Sequence, residues 1–222
     1  MKTEQLITIL SRDLAPVRPI APVGRRVLLW LALSLPAAAL VAWHAGLRHD
    51  LADRLVEPHF LLTEAAALLT ALTGAYAALC AGLPDQPRWK LWLPLAPFAL
   101  WLATLGQQCW DSFLRLGPAG LTLTTDTMCL PAIAEGGLVP ASVIVILLRR
   151  GGWFRASHAC LCGGLAAAAL GTAALNLYHI EDAAIMVIVW QLGAVALFSL
   201  IAALLGRVVL PPPASPLAAE KN

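Results

Sequence analysis

The chain has 222 residues, of which 59% are hydrophobic and only 13% charged, with a formal net charge of +2 and a mean hydropathy of +0.76. That is too little charge to cover a soluble domain of this length, and apolar windows of membrane-spanning length recur along it. There is no charge-rich domain, no P-loop and no dinucleotide glycine pattern, so nothing points to nucleotide chemistry or to direct contact with nucleic acid. Arg outnumbers Lys by 12 to 3, and with abundant Ala and Leu this suits a GC-rich bacterial genome.

The first 26 residues are polar. They lack the short apolar core and small-residue cleavage site of a signal peptide, so the first apolar helix is expected to stay in the protein. Residues 3–14 fit a helix that Thr3 can cap, with Glu4 where the helix dipole favours an anion. Leu6, Ile7, Leu10 and Leu14 follow the spacing of one apolar face. Pro16, Pro19 and Pro22 then stop the helix and favour extended backbone, and Arg25 and Arg26 mark the headgroup boundary. Such a helix could lie on the membrane surface or pack on neighbouring loops. A lipid-bound helix would usually carry more Lys and Arg on its polar face, and this one mixes signs. The alternative is a docking helix laid into a groove of a cytoplasmic protein.

Six hydrophobic windows follow: Val27–Gly46, Phe60–Leu83, Lys90–Gly106, Cys129–Leu148, Ser157–Leu177 and Ile185–Gly206. The third is short and carries Pro94 and Pro97, which a membrane helix tolerates when neighbours satisfy the freed carbonyls. The expected fold is therefore all-α. Residues 1–26 form a cytoplasmic segment with a short N-terminal helix, 27–206 an integral membrane bundle of six transmembrane helices, and 207–222 a cytoplasmic tail.

Positive charge sets the orientation. Twelve basic residues fall on the face that holds both termini, and only Arg48, Arg54 and Arg115 fall on the other. The termini are thus expected in the cytoplasm of a bacterium, with the protein in its inner membrane. Glycines such as Gly163 and Gly164 sit inside a window, where close helix packing explains them. Spans four to six do not copy spans one to three, which speaks against an inverted-repeat transporter.

Four stretches carry a family resemblance: "MKTEQLITILSRDLAPVRP", "LRHDLADRLVEPHFLLTEAAALLTAL", "CLPAIAEGGLVPASVIVILLRRG" and "LYHIEDAAIMVIVWQLGAVALFSLIAALLGR". They resemble NrsF-type membrane proteins, six-span negative regulators of an extracytoplasmic-function sigma factor. The resemblance runs from Met1 to about Leu210. It implies that a short N-terminal segment holds the sigma factor at the membrane. It also implies that periplasmic-side residues, cysteines in some members, sense metal or oxidative stress and release it. Cys129 matches the first family cysteine. The second cysteine of some members falls at Ile180 here, so a two-cysteine sensor of that form cannot operate.

On this reading Leu6, Ile7, Leu10 and Leu14 are apolar anchors for the sigma factor, and Arg12, Asp13 and Arg18 set register or charge matching. Cys109 and Cys129 flank a loop of 19 residues on the periplasmic side, where a disulfide could persist. It could replace the missing partner of Cys129 or be only structural. Cys80, Cys160 and Cys162 lie toward the cytoplasmic ends of spans and read as packing. His44, His49, His59 and His179 share the outer face with seven acidic residues, a formal charge of −4. Imidazole, thiolate and carboxylate there could capture a periplasmic copper or zinc ion, or merely meet water.

Glu64 lies about one turn inside the second window, where it could still reach the interface. Glu135 is deeper in the fourth, between Pro131 and Pro140, and a carboxylate so placed is expected to face the bundle interior, either bracing a bent helix or relaying a change at Cys129 to Arg149 and Arg150. No resident cofactor and no catalysis are expected. The competing functions are a membrane thiol oxidoreductase, against which stands the lack of any Cys-x-x-Cys, and a small cation transporter using Glu64 and Glu135.

Overall fold

The computed structural model describes residues 3–12, 19–118, 129–151, 154–179, 185 and 187–210, and all regular structure among them is helical. Among the described residues, eight α-helices have defined bounds: α1 (Thr3–Arg12), α2 (Val23–Ala45), α3 (Leu51–Arg54), α4 (Pro58–Ala81), α5 (Leu95–Leu116), α6 (Cys129–Gly151), α7 (Ala156–Leu175) and α8 (Gly193–Val209). A 3₁₀ turn, Arg88–Trp92, leads into α5, and a π-helical turn, Val187–Leu192, leads into α8.

Among the described residues, five segments are long and apolar enough to cross a membrane: Val23–Ala45, Pro58–Ala81, Leu130–Gly151, Ala156–Leu175 and Ile188–Gly206. At 1.5 Å per residue they measure roughly 28–36 Å, close to the thickness of a bilayer core. The third expected window corresponds to α5, but shifted along the chain. The helix starts at Leu95, not Lys90, and runs on to Leu116. Pro94 is its cap residue and Pro97 lies in its first turn, where a missing N–H forfeits no helical bond. The prolines start this helix and do not interrupt it. The downstream shift brings Gln107, Gln108, Asp111 and Arg115 into α5, which is why α5 is less apolar than the other five.

Helix α7 is the axis of the bundle, with α4, α6 and α8 packed along it. Its composition explains its place. "ASHACLCGGLAAAALGTAAL" is almost all small residues, and most of them are buried. Without water to drive apolar surfaces together, membrane helices associate by close packing, which small side chains permit. A Cβ built on Gly171 would lie 2.6 Å from the carbonyl oxygen of Ile133 and 3.0 Å from the amide nitrogen of Gly137. On α4, a Cβ at Gly74 would stand 3.1 Å from the carbonyl oxygen of Cys162. Helix α2 packs on α6 and α4, and α5 packs mainly on α4.

The core-facing stripe of α6 runs through Ile133, Gly136, Gly137, Pro140, Ile144, Leu147 and Leu148. Glu135 falls off this stripe and is exposed on the outer flank, so the expectation that it faces the interior is corrected. The inward carboxylate is Glu64. Its Oε2 accepts a hydrogen bond from Asn176 Nδ2 at 2.9 Å, tying α4 to the end of α7.

Candidate functional site

The bundle has two polar ends, one where the N-terminal arm joins and one opposite. The arm end is built from the start of α2. Pro22 is extended (φ −51°, ψ 144°) and caps α2, which begins at Val23. Arg25 and Arg26 therefore lie within the first helical turn and not ahead of it. Arg25 is exposed, whereas Arg26 is 5% exposed. The Arg26 guanidinium donates to the carbonyl oxygen of Leu147 near the C-terminal end of α6. It fills the space beside Gly151, where any Cβ would collide with it. A cation is favoured there because the C-terminal end of a helix carries the negative end of its dipole.

One turn further, Trp30 is 1% exposed and its indole N–H donates to the carbonyl oxygen of Pro140 at 3.0 Å. Arg26 and Trp30 share one face of α2 and grip the backbone of α6 at two levels. Replacing Trp30 by Phe keeps the ring and removes one of these bonds. The expected loss is roughly 0.5–1.5 kcal/mol, read as a lower melting temperature in mild detergent, with Arg26 still in place.

The arm itself is partly described. Helix α1 spans Thr3–Arg12, and Ile7 is 60% exposed. Leu6, Leu10 and Arg12 lie on α1 by their backbone, so Leu6 and Ile7 share a face with Leu10 at spacings of four and three. Asp13, Leu14 and Arg18 lie outside the described residues. At the root of the arm, Ile20, Ala21, Pro22 and Val23 form one wall of a cleft of about 450 Å³, with Tyr76, Asp85 and Lys90 opposite. Lys90 Nζ donates to Gln86 Oε1 at 2.7 Å and lies 5.7 Å from the centre of the Tyr76 ring.

At the opposite end Arg48 is 4% exposed. It makes a forked pair with Asp50, at 2.6 Å from Nε and 2.8 Å from the second nitrogen, and donates to the carbonyl oxygen of His179 at 3.2 Å. Its own amide donates to the carbonyl oxygen of Leu177 at 3.1 Å. The segment after α2 is thus strapped to the end of α7. Arg54 extends the network to Glu57 at 2.8 Å.

The hydrogen bond from Arg48 holds the Asp50 carboxyl well below the usual carboxylate range. A carboxyl depressed on folding stabilises the fold above its unfolded value of about 3.9, and that contribution is lost as pH falls below it. Asp50→Asn should therefore lower the melting temperature at pH 7, because it leaves Arg48 buried without its partner. It should also flatten the fall in stability between pH 5 and pH 3, measured by thermal unfolding in detergent.

The sensing candidates gather less closely. Cys129 is the first residue of α6, and its side chain lies outside the described ones, as does Ile180. Cys109 is half-buried on α5 and carries a free thiol. His44 and His49 are exposed, and His179 and His59 are half-buried. Both ring nitrogens of His59 are shielded and make no hydrogen bond. Among the described residues no three His, Cys, Asp or Glu side chains come together as a metal site. Asp126, Glu181 and Asp182 lie outside that set.

Sequence reasoning missed the Arg26 and Trp30 contacts and the Arg48 strap. One signal for Arg26 was present. Pro22 followed by Val-Gly-Arg-Arg is a helix start, and starting α2 there turns both arginines into helical positions.

A family model described as negative regulator of sigma F (NrsF) matches residues 10–211. Leu10 and Leu14 fall inside that range, and Leu6 and Ile7 just before it. No curated protein and no solved structure matches the chain.

Proposed function

The chain belongs to the family of negative regulators of sigma F, and on that premise we propose that it is a membrane-bound anti-sigma factor for a sigma factor of the extracytoplasmic-function class. It is a binding protein and not an enzyme. The arm of residues 1–26 covers sigma-factor surface that RNA polymerase needs, with Leu6, Ile7, Leu10 and Leu14 as anchors. The bundle sits in the bacterial inner membrane with six spans, α5 being the sixth, and with both termini in the cytoplasm. Exposed tryptophans support that placement. Trp89 and Trp92 stand at the arm end and Trp43 and Trp110 toward the other, as in the aromatic belts of membrane proteins.

The observation that carries the reading is the match to a regulator family over nearly the whole chain, together with an arm whose one described anchor, Ile7, is free to meet a partner. The direct test is capture. The full chain in detergent should retain the sigma factor encoded nearest to it, and a chain lacking residues 1–18 should not. Equal retention by both would reject the arm as the binding element.

The release step uses α6 as a lever. Helix α6 begins at Cys129 on the periplasmic side, and its last turns hold Arg26 at the root of the arm. A metal ion or oxidant acting at Cys129, with Cys109 and His179 on the same periplasmic side, would shift α6. The shift would loosen Arg26 and let the arm release its cargo. Glu135 sits on the exposed flank of α6 between these two ends and is a member of the lever, not of the core.

Arg26→Gln removes a charge-assisted hydrogen bond worth roughly 1.5–3 kcal/mol. It should raise basal expression from a sigma-dependent reporter several-fold and blunt its further rise on treatment with metal or oxidant. Cys129→Ser should leave basal repression intact and abolish the rise. An Arg26→Gln protein with wild-type basal and induced levels would remove Arg26 from the path.

A further inference from the structure

A cavity of about 920 Å³ opens at the arm end between the start of α5, the start of α7 and the end of α8. Its position follows from the packing, since α5 leans mainly on α4 and leaves a gap toward α7 and α8. The walls are aliphatic: Leu91 and Leu95 on one side, Leu161 and Leu165 of α7 on another, and Leu210 beyond the end of α8. From Ser157 to Leu165 the groove follows α7 for about 12 Å, well into the depth that a bilayer core would occupy.

The rim is of opposite character. Arg88, Arg155 and His158 line the same cavity, as does Trp92. Among the described residues neither Arg88 nor Arg155 has a carboxylate partner. Arg155 is held in place through its backbone. Its amide donates to the carbonyl oxygen of Ala81 at 3.2 Å, and that of Phe154 donates to Gly82 at 3.3 Å, which pins the turn before α7 onto the end of α4. Arg155 is also the cap residue of α7, and its side chain makes no capping bond. The open N-terminus of α7 adds its own positive end to the rim.

Two guanidiniums without a carboxylate partner among the described residues, that of Arg155 lying 5.6 Å from the centre of the Phe154 ring, border an aliphatic groove and match one molecule in shape and charge. The geometry points to a specific site for an anionic phospholipid of the cytoplasmic leaflet, with its phosphate between Arg88 and Arg155 and an acyl chain along Leu161 and Leu165. Guanidinium pairs recognise phosphate in two-pronged fashion, and an anionic leaflet supplies the ligand at high local concentration. The assignment rests on the orientation proposed above, in which the arm end is cytoplasmic. It does not depend on sigma-factor capture, so the two can fail separately.

The test uses the full chain purified in a neutral detergent, with melting temperature as the readout. Phosphatidylglycerol at a hundredfold excess over its Kd should raise that temperature by roughly 5–10 °C. Phosphatidylcholine of the same chains, and inorganic phosphate, should each do far less. Arg88→Gln with Arg155→Gln should weaken the phosphatidylglycerol response at least tenfold in lipid concentration, and the Lys pair should retain part of it. Arg149→Gln with Arg150→Gln removes the same charge outside the cavity and should keep the preference.

Equal shifts with the two lipids would mean ordinary lipid contact and overturn the site. A shift with phosphate alone as large as with phosphatidylglycerol would reduce it to a plain anion site and overturn the lipid assignment. A Gln pair that keeps the full preference would also overturn it. Should the Gln pair fail to accumulate, the comparison of lipids on the wild-type chain and the Lys pair still decides.

Discussion

Aspartate at both Leu6 and Leu10 should cost the protein roughly 100- to 1,000-fold in sigma-factor affinity and switch its target genes on. The two positions are four residues apart on α1, about one turn, so one groove on the partner would take both. Buried apolar anchors at an interface each contribute about 2 kcal/mol or more, and every 1.4 kcal/mol is tenfold in affinity. Two anchors would give close to a thousandfold if they were independent, and neighbouring anchors are not fully additive. Asp also weakens the helix, most of all near its C-terminal end, where the dipole disfavours an anion. The companion variant with Ala at both positions separates these causes, because Ala favours helix while removing the anchors. It should lose most of the affinity as well. The readouts are capture of the sigma factor by the purified full chain and a sigma-dependent reporter in cells. Continued repression by an Asp pair present at normal level in the membrane would end the anchor assignment.

The helical bundle was legible because apolar windows of about twenty residues have few alternatives to a spanning helix. Window and helix agree at Cys129 and to within two residues for the second and fifth windows. The third failed instructively. Pro94 and Pro97 are tolerable inside a membrane helix, yet proline is also a helix-starting residue, and only tertiary structure decides between the two roles. Hydropathy then hid the far end of α5, because Gln107, Gln108 and Asp111 fall below any apolar threshold although the backbone continues through them.

The two carboxylates exchanged places for a related reason. Depth along a helix is written in the sequence, but the direction a residue faces depends on which helices surround it. Glu135 lies deeper in its window than Glu64 and is nonetheless on the outer flank, while Glu64 meets Asn176 from a helix more than a hundred residues away. The helix of the arm could be read because amphipathic spacing is local. The grip of Arg26 on α6 could not, since nothing in the first 26 residues encodes Leu147 or Gly151.

Leucine at Gly171 should unmake the bundle that holds the arm. Helices α6 and α7 touch there backbone to backbone. Each carries glycine at the crossing, and a Cβ on Gly136 would stand 3.1 Å from the Cα of Gly171. A side chain on Gly171 would run into the carbonyl of Ile133 and the amide of Gly137, neither of which can swing aside as a flexible side chain would. Overpacking a core by a few methylenes costs roughly 1–3 kcal/mol. Forcing two backbones apart along a shared face costs more, because all the close contacts on either side of the crossing are lost with it. Gly171→Leu should therefore fail to accumulate in membranes, or melt far below the wild type in mild detergent. Gly171→Ala should fall between the two. Gly106 and Gly193 serve as contrasts. Both are apolar-helix glycines, and a Cβ on either meets nothing within 4 Å, so Ala at these positions should leave melting within a degree or two of wild type or raise it slightly. Repression should follow the same order, because an arm without its bundle has no root: Arg26 and Trp30 grip α6, and α6 keeps its place through the contact with α7. A Gly171→Leu protein that accumulates and melts like the wild type would show that α6 and α7 do not cross at these glycines, and the lever assigned to α6 would lose its fulcrum.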